Sequence, residues 1–365
     1  MIYTVSKAGD PMFELTNDQR KCFGLDLVQH HWQRMEAKAS PYHEFKTFLY
    51  LDGNVVVKCV MVGSKHYIEF GLNEALSEDG LYLLPKTAKG KPVKLSASTI
   101  EKRKKVGMCL HYHRYYLTLY NATTDRAYFT NAHIDLQLRE LPDFIRWVEQ
   151  WCEDTTIEDL SEVAAFAKEK RKTVRYKEGD VFRYKIDRKH YGYGRILLDY
   201  NKLRKERGEQ SGPMWGYGLI CSAYHILTKR KDVTVDELRG LKSLPSDMVW
   251  DNNIYYGENE IIGNIPVTDH EDYPILYGQH SGMYPGVWYE CGKTMLCRAD
   301  LRYQGMEFIN NGISHRLDVK LDILRECIAV GSNMPYWEKT KFISEDLRNP
   351  KYRNELAKIK KQFGL

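Results

Sequence analysis

Five consecutive charged residues, Lys168 to Lys172, interrupt the chain between two regions with different hydrophobic patterns. Such a run has no apolar side chain to bury and is typical of an exposed connection between domains. The chain has 365 residues, of which 43% are hydrophobic, and this is enough for two domains with their own cores. We therefore predict the α+β class, with an α+β domain over residues 1–170. The second domain, over residues 174–365, should be mostly β (barrel-like or a sandwich) and closed by C-terminal helices.

The first half mixes helix-like and strand-like patterns. Residues 16–36 carry Leu25, Val28, Trp32 and Met35 at helical spacing. Two β-rich segments then flank Asp52-Gly53-Asn54, which is a hairpin turn signal. The expected elements are strands at 45–51, 55–62, 106–121 and 125–130, and helices at 134–152 and 156–170, the last capped by Thr155 or Thr156.

The second half begins with strand alternation. Phe182, Tyr184 and Ile186 fall on one face of the predicted strand. Gly192 and Gly194 leave one face of the next segment without side chains, which predicts the close approach of another backbone or a ring. Helices are predicted at residues 317–329 and after Asn349-Pro350, where the proline would occupy the first helical position.

No complete catalytic motif is present. Gly192 and Gly194 begin a dinucleotide fingerprint, but its third position is Leu197. Gly292-Lys293-Thr294 would end a phosphate-binding loop, but Val287 stands where that loop needs glycine. We therefore predict a protein that is not an enzyme and that binds no cofactor.

Histidine and cysteine residues also lack the spacing of a metal site. His111 and His113 share a strand face, but no local carboxylate completes a ligand set. The eight cysteines are scattered, and without a signal peptide they are expected to be reduced. The N-terminus has no apolar stretch of signal-peptide length and the chain has no membrane-spanning run, so we predict no metal, no membrane contact and a cytoplasmic location.

The charge balance leaves two alternatives open. The net charge is only +5, but residues 86–105 contain eight cationic residues against Glu101 alone. A solvated loop is the simpler interpretation, and binding of nucleic acid through these lysines, although unlikely in a chain so weakly basic, is the first alternative. The second is a hydrolase with a His/Ser or His/Asp site assembled only by the tertiary fold.

The second half concentrates aromatic residues beside glycine and proline. Tyrosine, tryptophan and arginine dominate the energetic centres of protein interfaces, and acidic residues around them can steer a basic partner. Burial in a β-sheet core is the competing interpretation for the aromatic residues. The candidate partner-binding residues are Tyr191, Tyr193, Arg195, Trp215, Tyr217, Tyr255, Tyr256, Glu258, Asp269, Glu271, Asp272, Tyr284 and Trp288.

Three motifs of the second half carry a family resemblance. They are Gly179-Asp180-Val181-Phe182, the segment Tyr191 to Leu197, and Ile261 to Pro266 followed by Asp272-Tyr273-Pro274. Over residues 175–300 they resemble the immunity protein 26 family of bacterial polymorphic toxin systems. The resemblance implies a β-rich antitoxin that neutralises a cognate toxin domain by binding it, and it implies no catalytic residues. Residues 1–170 look similar to an uncharacterised bacterial domain, which suggests no activity.

Overall fold

The computed structural model describes residues 13–38, 45–85, 87–131, 136–170, 172–208, 218–244, 246–273, 275–278, 286–301, 324–325, 328 and 347–365. The chain divides into two compact units, residues 1–171 and 172–365. Each unit contains antiparallel sheets and helices, which confirms the α+β class. That each unit folds alone stays a prediction.

The first unit is built around a seven-stranded antiparallel sheet with the order β1-β2-β3-β4-β7-β8-β9. Its helices are α1 (Asn17–Cys22), α2 (Ala97–Glu101), α3 (Leu141–Glu153) and α4 (Ile157–Ala167). Its strands are β1 (Gln33–Glu36), β2 (Phe45–Asp52), β3 (Val55–Gly63), β4 (His66–Ala75), β5 (Tyr82–Leu83), β6 (Val93–Lys94), β7 (Val106–His113), β8 (Tyr116–Asn121) and β9 (Arg126–Thr130). The predicted hairpin at Asp52–Asn54 is confirmed, and Thr156 caps α4 by accepting a hydrogen bond from the Asp159 amide.

Both faces of this sheet are buried. Helix α3 packs Phe144 and Val148 against one face, together with Tyr67 and Tyr112 of the strands. Ile100 of α2 covers part of the other face. Strands buried on both sides need apolar residues at nearly every position, which explains the continuous β-rich runs in the sequence.

The helix predicted over residues 16–36 is wrong beyond Cys22. Gly24 takes a left-handed conformation with a φ of 64° immediately after the helix, a geometry that ends helices and suits glycine. Leu25 is buried although it lies outside any helix or strand, and Gln33–Glu36 pair with β2 as an edge strand. The apolar residues of this segment therefore match helical spacing by chance and do not form a helix.

The second unit contains a five-stranded antiparallel sheet with the order β13-β12-β11-β10-β14 and a three-stranded sheet with the order β15-β16-β17. The strands are β10 (Asp180–Lys185), β11 (Tyr191–Asp199), β12 (Gly218–Ala223), β13 (Asp247–Trp250), β14 (Glu260–Asn264), β15 (Ile275–Gly278), β16 (Val287–Cys291) and β17 (Thr294–Arg298). The helices are α5 (Tyr200–Arg207), α6 (Val235–Arg239), α7 (Asn252–Tyr255) and α8 (Arg353–Gln362), the last preceded by a 3-10 turn at Pro350–Tyr352.

The described strands of this unit do not close into a barrel. Helix α8 is the predicted C-terminal helix, and its Ile359 packs with Ile275 and Tyr289 of the three-stranded sheet. The helix expected over residues 317–329 lies mostly outside the described residues. The segment Asn201 to Gln210, an unusually long charged insertion after the Tyr191–Leu197 motif, forms α5 over most of its length, capped by the Asp199 carboxylate.

Candidate functional site

Charged residues lie at both ends of the five-stranded sheet. Strand register places Lys185 beside Tyr191 at one end, whereas Asp199 pairs with Leu219 at the other. The carboxylates at the end with Asp199 are Glu178, Asp180, Asp199, Asp251, Asp269, Glu271 and Asp272. The other end contains Arg183, Lys185, Arg188, Lys189, Lys229, Arg230 and Lys231, and we call this set the basic end.

The predicted acidic rim is already engaged within the unit. Glu271 forms an ion pair with Arg195 of β11, and both side chains are mostly buried. Asp272 forms an ion pair with Arg348 at 3.3 Å. Asp269 is the member of this group that stays exposed without an ion pair among the described residues. The loop after β14 is therefore fixed to the sheet, and two of its three carboxylates are neutralised before any partner arrives.

Tyr191 and Tyr193 belong to the core of the sheet. Tyr193 is 0% exposed, and its hydroxyl donates a hydrogen bond of 2.9 Å to the Arg230 carbonyl. Burial raises the pKa of Tyr193 above its usual value. A partner cannot reach these rings in the folded unit, so the proposed contact role is corrected to a structural one for both tyrosines. Here the β-sheet core interpretation was the right one.

Exposed aromatic residues lie on and beside α7. Tyr255 is 40% exposed, and its ring meets that of Tyr256 edge-on, with 5.1 Å between the centroids. The Tyr255 carbonyl accepts a hydrogen bond of 2.7 Å from the Val174 amide, which fixes the end of the helix. Trp250, at the end of β13, is 41% exposed. Trp250 is not among the contact residues predicted from the sequence. The available signal was its position directly before Asp251-Asn252-Asn253, which marks a strand end at a polar turn.

Two of the remaining candidates lie within the described residues. Glu258 is half-buried in the segment after α7. Trp288 is half-buried on β16, where it pairs with Gly278 and Cys297 in a different sheet. Trp215, Tyr217 and Tyr284 lie outside the described residues.

A His–Asp pair lies in the turn between β10 and β11, where the two residues are three positions apart. His190 Nδ1 lies 2.9 Å from both carboxylate oxygens of Asp187. The same carboxylate accepts hydrogen bonds from the backbone amides of Lys189 and His190, an arrangement that closes a tight turn. Within the described residues the His190 ring bonds no hydroxyl or thiol, and the pair holds the β10–β11 turn.

Histidine residues of the first unit pack against one another. His66 and His113 are cross-strand partners whose rings stack at 4.1 Å. Burial lowers the pKa of His111 to about 4, and Lys105 and the neighbouring histidines act in the same direction. In the described parts of the chain no group of three or more His, Cys, Asp or Glu residues could hold a metal ion.

A fully buried carboxylate lies at the centre of the first unit. Glu69 accepts hydrogen bonds from Arg20 Nε at 2.7 Å, Lys58 Nζ at 2.6 Å and the Tyr67 hydroxyl at 2.6 Å. Burial opposes its ionised form, but Lys58 and Arg20 outweigh burial and hold the pKa of Glu69 below 4.5. Since Glu69 is 0% exposed, this cluster stabilises the fold and has no access to a substrate.

The basic segment 86–105 contributes some of its cations to the structure. Arg103 forms an ion pair of 3.2 Å with Glu74, and Lys105 lies over the Phe70 ring at 4.7 Å. These two side chains contact the sheet of the first unit. Neither of these two contacts is specific to nucleic acid.

The second half of the chain is similar to a known protein family. Residues 177–286 match the family model of immunity protein 26, which confirms the resemblance in the second half of the chain. Searches of the curated proteins and of the solved structures gave no match. None of the helices in the described ranges is both long and apolar enough to cross a membrane.

Proposed function

We propose that this protein is an immunity protein that binds a cognate toxin domain and neutralises it by contact, in the cytoplasm of the cell that makes both. The observation that carries the proposal is the family match, which covers the five-stranded sheet from before β10 to after β14. A family defined over this whole sheet points to the second unit as the toxin-binding part. The first unit keeps no assigned role.

The exposed aromatic residues supply the contact. Tyrosine and tryptophan offer large apolar area with few rotatable bonds, so little entropy is lost when a partner orders them. Tyr255 and Trp250 are accessible in the folded unit, unlike Tyr193. We therefore expect Trp250, Tyr255 and Tyr256 to form the energetic centre of the interface.

The experiment is co-expression with the toxin candidate encoded beside this gene. The full chain should relieve growth arrest and co-purify with the toxin. Of the variants Trp250→Ala, Tyr255→Ala and Tyr256→Ala, at least one should weaken binding by about 2 kcal/mol, or about 30-fold in Kd. Tyr115→Ala removes an even more exposed ring, 66% accessible, from the first unit, and it should bind like the unchanged protein.

Two results would contradict the proposal. One is unrelieved arrest with no complex for any neighbouring toxin. The other is substrate turnover by the purified chain, which would support the hydrolase alternative. A complex that forms equally well with all four aromatic variants would keep the function but remove α7 and Trp250 from the interface.

A further inference from the structure

A row of rings crosses the seven-stranded sheet of the first unit. Strand register makes His66 of β4 the cross-strand partner of His113 of β7, and it makes His113 the partner of Tyr116 of β8. The rings of His66 and His113 stack with 4.1 Å between their centroids. His111 lies two residues before His113 on the same face, and its ring meets that of Tyr116 edge-on at 5.5 Å. Four rings from three adjacent strands therefore form one surface, which we call the ring platform.

The ring platform is partly exposed, whereas helix α2 covers the other end of the same strands. Ile100 of α2 clusters with Phe70 and Cys109, which lie further along β4 and β7. At the platform, Tyr116 is 43% exposed and His113 is exposed as well. Aromatic side chains at such an accessible position can stack on a planar ligand without any rearrangement of the sheet.

The turn between β7 and β8 presents a further ring beside the platform. Arg114 and Tyr115 form this turn, and Tyr115 is 66% exposed. The Arg114 amide donates a hydrogen bond of 3.0 Å to the Lys65 carbonyl, which connects this turn to the turn between β3 and β4. The Asn131 side chain donates another hydrogen bond to the Tyr115 carbonyl. The backbone that carries the exposed ring is therefore fixed before a ligand arrives, which lowers the entropy cost of binding.

Cations flank the ring platform. Lys65 and Arg114 form no ion pair with any residue that the structure describes. Lys105 Nζ lies 4.7 Å from the centre of the Phe70 ring, which is on the same sheet face as His111. Burial, then Lys105 and the neighbouring histidines, lower the pKa of His111, and no carboxylate acts in the opposite direction. Positive charge of this kind attracts a polyanion.

We propose that the ring platform and the turn at Arg114 and Tyr115 bind single-stranded nucleic acid, with bases stacked on the rings and phosphates held by the flanking cations. Exposed rings beside cations are the combination that single strands require, because every base has a face that can stack. Neighbouring strands lie about 4.8 Å apart, so a row across three strands spans about 10 Å, which suits two or three bases. This role goes beyond the proposed immunity function and lies in the other unit.

Other occupants fit the ring platform less well. A duplex keeps its bases stacked on one another and would offer this surface mainly its phosphates. The centres of protein interfaces are depleted of charged residues, whereas cations lie beside these rings. Lys105 belongs to the basic segment 86–105, and that segment contains no aromatic residue on which a base could stack.

The test measures fluorescence anisotropy of labelled oligothymidylate and oligouridylate, each about 15 nucleotides long, with the full chain. We expect both single strands to bind about tenfold more tightly than a DNA duplex of the same length. Tyr115→Ala combined with Tyr116→Ala should weaken this binding about tenfold, whereas Tyr115→Phe combined with Tyr116→Phe keeps both rings and should bind within about twofold of the unchanged chain. Tyr255→Ala removes a ring that is 40% exposed from the second unit, and it should have no effect.

A second pair of variants tests the flanking cations. Lys65→Gln combined with Arg114→Asn removes two positive charges, and asparagine suits the φ of 50° at position 114. Lys89→Gln combined with Lys91→Gln makes the same change in net charge at two exposed positions of the basic segment. We expect the first pair to reduce the slope of log Kd against log salt by about 1, since phosphate contacts are lost, and the second pair to leave the slope unchanged.

Three results would overturn the inference. The first is no binding of either oligonucleotide, and the second is binding that the double alanine variant leaves unchanged. The third is binding of poly-L-glutamate as tight as that of the oligonucleotides, which would show a response to charge alone and favour an acidic protein. Binding of both oligonucleotides, or of one of them, supports the inference, and the ratio of their Kd values shows whether the sugar is read.

Discussion

The ring of Tyr184 lies over Gly192, its cross-strand partner in the five-stranded sheet. A Cβ atom added to Gly192 would lie 2.5 Å from the Cζ and Oη atoms of Tyr184. Gly194 has the same relationship with Phe182, at 2.6 Å from the ring. The prediction that a ring packs against these glycines is therefore confirmed, and the bare strand face makes room for the aromatic core on β10.

Adding a side chain at Gly192 should destabilise the second unit. We expect Gly192→Ala to lower the free energy of unfolding by about 1–3 kcal/mol, because the Tyr184 ring must move within a packed core. Urea unfolding of the full chain measures the change. Gly240→Ala is the matched control, since no atom lies within 4 Å of the added carbon there. Equal midpoints for the two variants would show that the ring adjusts at no cost.

Removing the charge of Glu69 should destabilise the first unit. In Glu69→Gln the buried cations Arg20 and Lys58 lose their carboxylate, and we expect a loss of about 3–5 kcal/mol. The folded pKa of Glu69 lies below the unfolded value of 4.5. Its stabilising contribution is therefore present above about pH 4.5 and is lost as the pH falls through the folded pKa.

The control for this change is a solvent-exposed ion pair on the protein surface. Asp18 and Lys21 lie 2.8 Å apart on α1 with both side chains exposed, so Asp18→Asn should leave the unfolding midpoint unchanged. Chemical denaturation at pH 7 compares the variants. If Glu69→Gln were as stable as Asp18→Asn, the buried cluster would not contribute to the stability of the sheet.

His111 should make the stability of the first unit depend on pH. Its folded pKa of about 4 lies below the ordinary value of 6.5, so the unfolded chain binds a proton first. Stability should fall as the pH drops from about 6.5 to about 4, by about 1–2 kcal/mol after allowance for solvent screening. His111→Asn should flatten this dependence, whereas His30→Asn, at an exposed position, should not. An unchanged pH profile in His111→Asn would assign the effect to other groups.

The two units should fold independently. Fragments 1–170 and 174–365 divide the chain where the contacts divide it, so each should be soluble and unfold cooperatively, as followed by circular dichroism. A division after Leu110 cuts strand β7 within the seven-stranded sheet and should yield aggregated or unfolded products. If fragments 1–170 and 174–365 behaved no better than that control, the domain assignment would be wrong.

Several elements of the fold could be predicted because they depend on neighbouring residues. The hairpin at Gly53 and the cap at Thr156 are short-range events, in which a turn or a hydroxyl satisfies nearby backbone groups. The long helix through Trp32 could not be excluded, since apolar residues at helical spacing also arise by chance in an extended chain that packs on a sheet. Trp250 was missed because its exposure depends on what covers the end of β13, which no local pattern reports.

Sequence alone determined the α+β class, the charged break at residues 168–172 and the resemblance of residues 175–300 to an immunity family. Composition, periodicity and motif spacing are properties of the linear sequence and need no tertiary structure. Only the tertiary structure decided which aromatic residues a partner can touch. It buried Tyr193, left Tyr255 exposed, paired Glu271 with Arg195 and gathered Lys189 and Lys229 into one basic end. The burial of a side chain and the charge around it depend on residues that are distant in sequence. They are therefore determined only when strand order and register bring those residues together.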